Sequence, residues 1–148
     1  PDGTLADPGS DDAPDLLVVP GGGWNDRSMA GAWAEYQRGA IPDAVAAHHD
    51  AGATVASVCT GGMLLAKAGV LDGRPAVTHA SALEDLRETE ADVREERVVD
   101  DGSVVTAGGV TSGIDLALVL VERFAGSAVA EQVSETMEYE RRTEPFAR

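Results

Sequence analysis

Short apolar runs alternate with longer helical patterns along this chain. The two clearest runs, Asp15–Pro20 and Thr54–Val58, are rich in β-branched residues and predict short buried strands. Ala76–Thr78 predicts a third, and the turn sequence Asp100-Asp101-Gly102 predicts a hairpin or tight turn between two more. The hairpin strands are Arg97–Val99 and Val104–Thr106.

Helical patterns fill most of the remaining chain. Ser81 and Glu84 have the spacing of a capping box before a short helix, and Ser127 is expected to cap the last helix, which runs to about Tyr139. The other predicted helices are Pro42–Ala51, Thr60–Ala68 and Thr111–Ala125. Residues 1–14 read as a connector. Buried strands between helices indicate an α/β fold, a mostly parallel sheet covered on both faces, in one domain spanning 1–148.

Three small-residue turns fall at the carboxyl ends of predicted strands, where ligands bind in such sheets. They are Gly21–Gly23, the segment around Cys59, and Gly108–Gly113. Glycine-rich turns also bind phosphates, but neither a Walker pattern nor a Gly-x-Gly-x-x-Gly fingerprint is present. An oxyanion pocket facing Cys59 is the better interpretation, with the Gly22 region and the Thr60 N–H as donors.

Cys59 is the only cysteine and follows directly after a predicted strand. A nucleophile at a sharp strand-to-helix turn is lifted clear of the backbone, and the helix dipole favours thiolate over thiol. The alternative is a buried structural cysteine at the end of a core strand.

His79 lies at the carboxyl end of the strand Ala76–Thr78 and is a candidate to deprotonate or orient the thiol. A structural histidine bonded to backbone is the alternative. His48 and His49 adjoin Asp50 near a helix end and are expected to be solvated. No Cys/His cluster has the spacing of a zinc site, so no metal is predicted.

The formal net charge of −15 limits the partners of this 148-residue chain. Such an acidic surface opposes binding to nucleic acid and to anionic membranes, and no apolar run approaches the ~20 residues that span a bilayer. Lys67 is the only lysine. The near absence of lysine in so acidic a chain favours a protein from a salt-loving organism over an ordinary acidic cytosolic protein.

Several motifs carry a family resemblance. Asp15–Gly23 resembles the Pro-Gly-Gly strand-turn of the ThiJ/PfpI superfamily, relatives of class I glutamine amidotransferases, and Ser57–Gly61 resembles its nucleophile elbow. Other segments resemble the isonitrile hydratase branch: Ala68–Arg74, Thr78-His79, Arg97–Gly102, Thr106–Asp115, Glu138-Tyr139 and Glu144–Phe146.

The resemblance implies a flavodoxin-like sandwich, usually a homodimer, with Cys59 as nucleophile and His79 nearby. Gly21, Gly22, Gly23 and Thr60 would border the reacting centre. In the hydratase branch the cysteine attacks the isonitrile carbon and water completes an N-substituted formamide, with no cofactor. A small-molecule substrate and a cytoplasmic location are expected.

One family feature has no counterpart here. Members of the superfamily begin with a strand and helix that carry an acidic residue aimed at the cysteine, and no residue of this chain matches that acid. The expectation is a domain that lacks this strand and helix. The strand would be interior to the sheet, so its neighbours would have unpaired backbone groups.

Three function classes fit these observations. The first is a cysteine-dependent enzyme on small electrophiles, with isonitrile hydration as the specific case. The second is a glyoxalase- or deglycase-like enzyme on aldehydes, or an amidase or peptidase, although Thr60 stands where peptidases of the superfamily place histidine. The third is a non-enzymatic sensing module.

Because self-repulsion of the −15 charge is relieved by screening, the thermal midpoint should rise between dilute buffer and molar salt. Scanning calorimetry in sodium chloride and in a less strongly salting-out sodium salt separates screening from the effect of salt on hydrophobic burial. A midpoint that stays constant or falls as salt rises contradicts the interpretation as a halophilic protein.

Overall fold

The computed structural model describes residues 3–142 and 145–147. Its helices are α1 (Ala32–Arg38), α2 (Ala40–Asp50), α3 (Gly61–Lys67), α4 (Leu83–Arg87), α5 (Ser112–Ala125) and α6 (Ser127–Thr136). Its strands are β1 (Leu16–Val19), β2 (Thr54–Val58), β3 (Pro75–Ala76), β4 (Asp92–Val93), β5 (Val98–Asp100), β6 (Val104–Ala107) and β7 (Phe146–Ala147). Within these residues, no helix combines the length and apolar character needed to cross a membrane.

The main sheet has the order β1-β2-β6-β5-β7. β2 lies between β1 and β6 and runs parallel to both, with Val19 opposite Ser57 and Val58 opposite Ala107. β5 and β6 pair antiparallel, as the hairpin prediction requires. A separate parallel pair, β3 and β4, lies outside this sheet. The α/β class and the mostly parallel sheet are confirmed.

Alternating side chains of the central strands divide the core into two layers. Val55 of β2 belongs to the larger cluster, with Leu65 of α3, whereas Ala56 belongs to the other. The second cluster is completed by α5, whose Leu116, Val119 and Leu120 recur at helical spacing and pack against it. The sheet therefore lies between α1–α3 on one face and α5 on the other.

β1 is an edge strand. The prediction that it is a buried strand was only partly correct. Val18 is 50% exposed, because β1 pairs only with β2. An apolar groove of about 480 Å³ runs beside it, lined in part by Leu5, Leu17, Ile41 and Val45.

Several boundaries differ from the predictions. Helix α1 was not predicted, since the sequence around it is rich in glycine and aromatics; Gly39, with a φ of 82°, ends it and precedes α2. The two short strands β4 and β7 were also missed. Phe146 lies in β7, while Glu144 of the terminal motif lies outside the described residues.

The predicted caps at Ser81 and Ser127 were wrong. Ser127 is the first residue of α6, and the capping position is Gly126, so no side-chain cap forms there. Ser81 lies in a short 3₁₀ turn, Ala80–Ala82, where its N–H donates to the side chain of His79. The predicted strand Ala76–Thr78 is shifted, because pairing with β4 involves Pro75 and Ala76.

A buried carboxylate joins α5 to β5 and to the C-terminal segment. Asp115 is 2% exposed and accepts hydrogen bonds from Arg97 Nε at 2.9 Å and Nη2 at 2.7 Å. The Tyr139 hydroxyl donates to it at 3.0 Å and the Arg142 N–H at 3.3 Å. Burial alone would raise the pKa of Asp115, but these hydrogen bonds outweigh burial and lower its pKa from 3.8. The carboxylate therefore stabilises the folded state in its charged form.

Asp115→Asn should destabilise the fold by about 3 kcal/mol at neutral pH, because it leaves Arg97 without its charged partner. Since the folded pKa lies below 3.8, the stabilisation is present above this value and is lost as pH falls through the lowered pKa. Urea unfolding of both proteins from neutral pH downward measures this difference.

The exposed Asp72→Asn provides the control, and its stability should follow that of the wild type at every pH. A gap between wild type and Asp115→Asn that stays constant below pH 3.8 would contradict the role assigned to the charged carboxylate.

Candidate active site

Cys59 occupies a strained backbone position between β2 and α3. Its φ is 60°, a left-handed conformation that costs free energy in a residue with a side chain. Its N–H is shared between the carbonyls of Ala107 at 3.1 Å and Gly108 at 2.8 Å. Its own carbonyl accepts a hydrogen bond from the Thr78 hydroxyl at 2.9 Å. The conformation is therefore fixed by the ends of β6 and β3, and the thiol is partly exposed.

Two glycines bring the end of β1 against this turn. A Cβ placed at Gly21 would lie 2.4 Å from the Thr60 nitrogen, and one at Gly61 would lie 2.1 Å from the Val19 carbonyl oxygen. Both distances are far shorter than real contacts, so each position requires glycine. The backbone of Gly22 and Gly23 then continues beside Cys59.

An open pocket of about 310 Å³ contains most of the predicted site residues. Cys59, Thr60 and His79 line it together with Gly22 and Gly23. Gly21 does not, since it borders the apolar groove beside β1. Its contribution is to allow close packing rather than to face the pocket.

The predicted oxyanion donors, the Gly22 region and the Thr60 N–H, differ in how far they are already engaged. The Gly22 N–H donates to the Thr60 hydroxyl oxygen at 2.9 Å, so this group is already engaged. The N–H groups of Thr60 and Gly23 have no acceptor among the described residues. These two remain as backbone donors at the pocket.

His79 is held in one orientation by the 3₁₀ turn that follows it. Its Nδ1 accepts the Ser81 N–H at 3.1 Å, and the Ser81 hydroxyl lies 2.6 Å from the same atom. An Nδ1 that accepts a backbone N–H cannot carry the proton of a neutral imidazole, which must then be on Nε2. The ring lies against Gly109, where an added Cβ would be 3.4 Å from Cδ2. His79 thus lines the pocket beside Cys59, and it also accepts a hydrogen bond from the backbone. Both the catalytic interpretation and the structural alternative are compatible with this position.

The other histidines lie at the opposite end of the sheet. His48 is buried at 2% exposure, so the expectation that it is solvated was wrong. His49 Nε2 lies 3.0 Å from the Ser103 hydroxyl. Both belong to the end of α2, which leads into the amino end of β2, whereas Cys59 follows its carboxyl end.

Four further residues line the pocket that the sequence did not single out: Trp24, Asn25, Asp26 and Ser81. Trp24 is buried, its Nε1 donates to Asp85 Oδ2 at 2.6 Å, and its ring meets Trp33 and Tyr36 edge-on. The only signal in the sequence for Trp24, Asn25 and Asp26 was their position directly after Gly21–Gly23, whereas Ser81 had been predicted only as a helix cap.

The chain resembles several proteins of related architecture. It is 42% identical over 85 residues to an isonitrile hydratase of Pseudomonas putida, an alignment covering 57% of this chain and 37% of that protein. It is 29% identical over 123 residues to protein DJ-1alpha of Drosophila melanogaster, covering 83% of this chain and 54% of that protein.

A solved ThiJ/PfpI family protein of Pseudomonas syringae matches with a TM-score of 0.76 and 30% identity, over 89% of this chain and 52% of that one. The chain thus spans about half the length, or less, of these relatives. The model of the DJ-1/PfpI family matches residues 1–123. With the cysteine turn at the carboxyl edge of an α/β sheet, this match shows that the chain belongs to the DJ-1/PfpI family.

Proposed function

We propose that this protein is a cysteine-dependent enzyme acting on a small electrophile, and that the reaction is hydration of an isonitrile to an N-substituted formamide. The observation that carries the proposal is the strained Cys59, fixed at φ 60° and opening onto a pocket shared with His79. A nucleophile held clear of its backbone needs no rearrangement before attack. The similarity to an isonitrile hydratase supports the choice of electrophile.

The reaction would proceed in two stages. The Cys59 sulfur forms a bond to the isonitrile carbon, and the thiol proton ends on that carbon, giving a thioimidate, R–N=CH–S–Cys. Water then adds to the carbon, the carbon–sulfur bond breaks, and the two protons of water end on the nitrogen and the sulfur. The product is R–NH–CHO and the thiol is regenerated, so no cofactor takes part.

His79 serves this chemistry as a hydrogen-bond donor rather than as a base. Because Nδ1 accepts the Ser81 N–H, the Nε2–H is the group available to the pocket. It stabilises the thiolate or the charge that develops during attack, together with the Thr60 N–H. The nitrogen lone pair that a base would need is already occupied.

The same proposal extends to assembly and location. We infer a single domain that forms a homodimer in the cytoplasm. The free thiol of Cys59 supports a reducing compartment, since a reactive cysteine is preserved as thiol there. Exposed apolar side chains, among them Val18 and Val110, offer surface for association.

The direct test is formamide production from a simple alkyl isonitrile, followed by mass spectrometry. Turnover should fall by at least about a thousandfold in Cys59→Ser, because the hydroxyl is a far weaker nucleophile than the thiol. The circular dichroism spectrum of the variant should be unchanged, which controls for folding. The absence of formamide from the wild-type protein would refute the reaction. Conversion of methylglyoxal to lactate in its place would assign the protein to the aldehyde class.

Substitution of His79 distinguishes a donor from a base. His79→Gln offers an amide N–H but no base of useful strength, so kcat/KM should stay within about tenfold of the wild type. His79→Ala removes the donor and should cost roughly 100-fold, the usual effect of losing one oxyanion donor. His49→Gln, at the opposite end of the sheet, is the matched control. Equal losses in the Gln and Ala variants would show that His79 acts as a base.

A further inference from the structure

The loop between β1 and α1, residues 20–31, forms one wall of the Cys59 pocket. It contains no helix or strand, yet it is anchored in its middle by the buried Trp24. The hydrogen bond from Trp24 Nε1 to Asp85, at 2.6 Å, and the edge-on contacts with two aromatic rings hold this side chain. The two residues that follow, Asn25 and Asp26, therefore have a defined position at the pocket.

Asp26 is the only aspartate or glutamate among the described residues that line this pocket. No lysine or arginine contributes to the lining among the described residues. The neighbouring Arg27 lies with its guanidinium carbon 4.2 Å from the centre of the Trp33 ring, on the aromatic cluster.

The Asp26 carboxylate is itself only lightly engaged. Its Oδ1 accepts the Ser28 N–H at 3.3 Å, a local contact that fixes the loop without neutralising the charge. The net charge of −15 adds a background potential of the same sign. An anion that approaches Cys59 thus meets repulsion from both sources, whereas a cation is attracted.

We propose that Asp26 is a specificity-determining residue that makes the Cys59 pocket select uncharged and cationic electrophiles over anionic ones. The inference deepens the proposed function and rests on it for the reaction: the substrate would be an isonitrile whose side chain is neutral or carries an ammonium group, not a carboxylate or phosphate. Asp26 acts on the approach and binding of the substrate and takes no part in bond making.

The test measures charge at Cys59 without requiring turnover. A cationic trimethylammonium-ethyl and an anionic sulfonatoethyl methanethiosulfonate modify Cys59, the only cysteine of the chain, by the same reaction: the thiolate forms a mixed disulfide with the thioalkyl group and methanesulfinate leaves. The second-order rate constant of each reagent with Cys59 is divided by its rate constant with 2-mercaptoethanol. The ratio of cation to anion, which is the normalised rate constant of the cationic reagent over that of the anionic one, is then compared between variants. Reactions run at about 0.1 M salt, where a charge acts over roughly 10 Å, and again at 1 M.

Asp26→Asn should lower the ratio of cation to anion by roughly three- to tenfold, the effect expected of one partly screened charge pair. Asp26→Glu should preserve the ratio, and all ratios should converge at 1 M salt. Asp50→Asn changes the net charge equally but lies beyond the amino end of the five-residue β2, roughly 16 Å along the strand from Cys59. Its ratio should remain close to that of the wild type.

A ratio in Asp26→Asn that matches that of Asp50→Asn would overturn the proposal, because the selectivity would then come from net charge alone. The outcome stands whether or not isonitriles are hydrated, so the two proposals fail separately. If hydration is observed, kcat/KM for an ammonium-bearing isonitrile relative to its carboxylate analogue should fall by the same factor in Asp26→Asn.

Discussion

The left-handed backbone of Cys59 is the constraint on which the candidate site depends. A residue with a side chain adopts a φ of 60° only where its surroundings enforce it, and here they do so through both peptide groups. The N–H is bound by the carbonyls that end β6, and the carbonyl is bound by Thr78, which follows β3. The three chain segments that meet at this turn are thereby fixed relative to the sulfur.

Small side chains are the second requirement, and they follow from the first. Since the turn brings backbone against backbone, Gly21 and Gly61 have no room for a Cβ, and Gly113 allows α5 to approach Val58 closely. Glycine at these places is explained by distance, not by flexibility. The same close approach puts the Gly22 N–H on the Thr60 hydroxyl, which takes one expected donor out of the pocket.

The residues that carried the family resemblance divide into two groups in space. In one group, Cys59 and His79 line the pocket and the buried Thr78 bonds to the Cys59 carbonyl. The other, with Arg97, Asp115 and Tyr139, forms a buried ionic network that joins β5, α5 and the C-terminal segment. Motif residues of the second group are explained by stability, because an unpaired charge at Asp115 would be costly in the core.

How much the sequence could predict depended on whether a feature is local. The strand Thr54–Val58 was correct to the residue, because its β-branched run is bounded by Gly52 and by Cys59. Cys59 and His79 line the same pocket, but His79 follows β3, which lies outside the main sheet, so the shared sheet edge that the prediction assumed is not what brings them together. Helix α1 and the caps at Ser81 and Ser127 were missed or wrong, because they depend on contacts with distant aromatics or on backbone angles at glycine. The capture of the Ser81 N–H by His79, which sets the tautomer, had no local signal.

The pocket therefore combines two kinds of structure with different rigidity. The candidate catalytic residues Cys59 and His79 follow strand ends, and hydrogen bonds from β6 and Thr78 fix the backbone of Cys59. The opposite wall is a loop that is held by the buried side chain of Trp24 and by the Gly22 N–H bond to Thr60, and whose Asp26 is exposed. Changes in that loop can alter charge and shape without disturbing the turn, because no hydrogen bond that fixes Cys59 comes from residues 23–31. Under the proposed function, chemistry and substrate preference would therefore be separable in this fold: the sheet positions the sulfur, and the loop carries the charge that we propose selects among electrophiles.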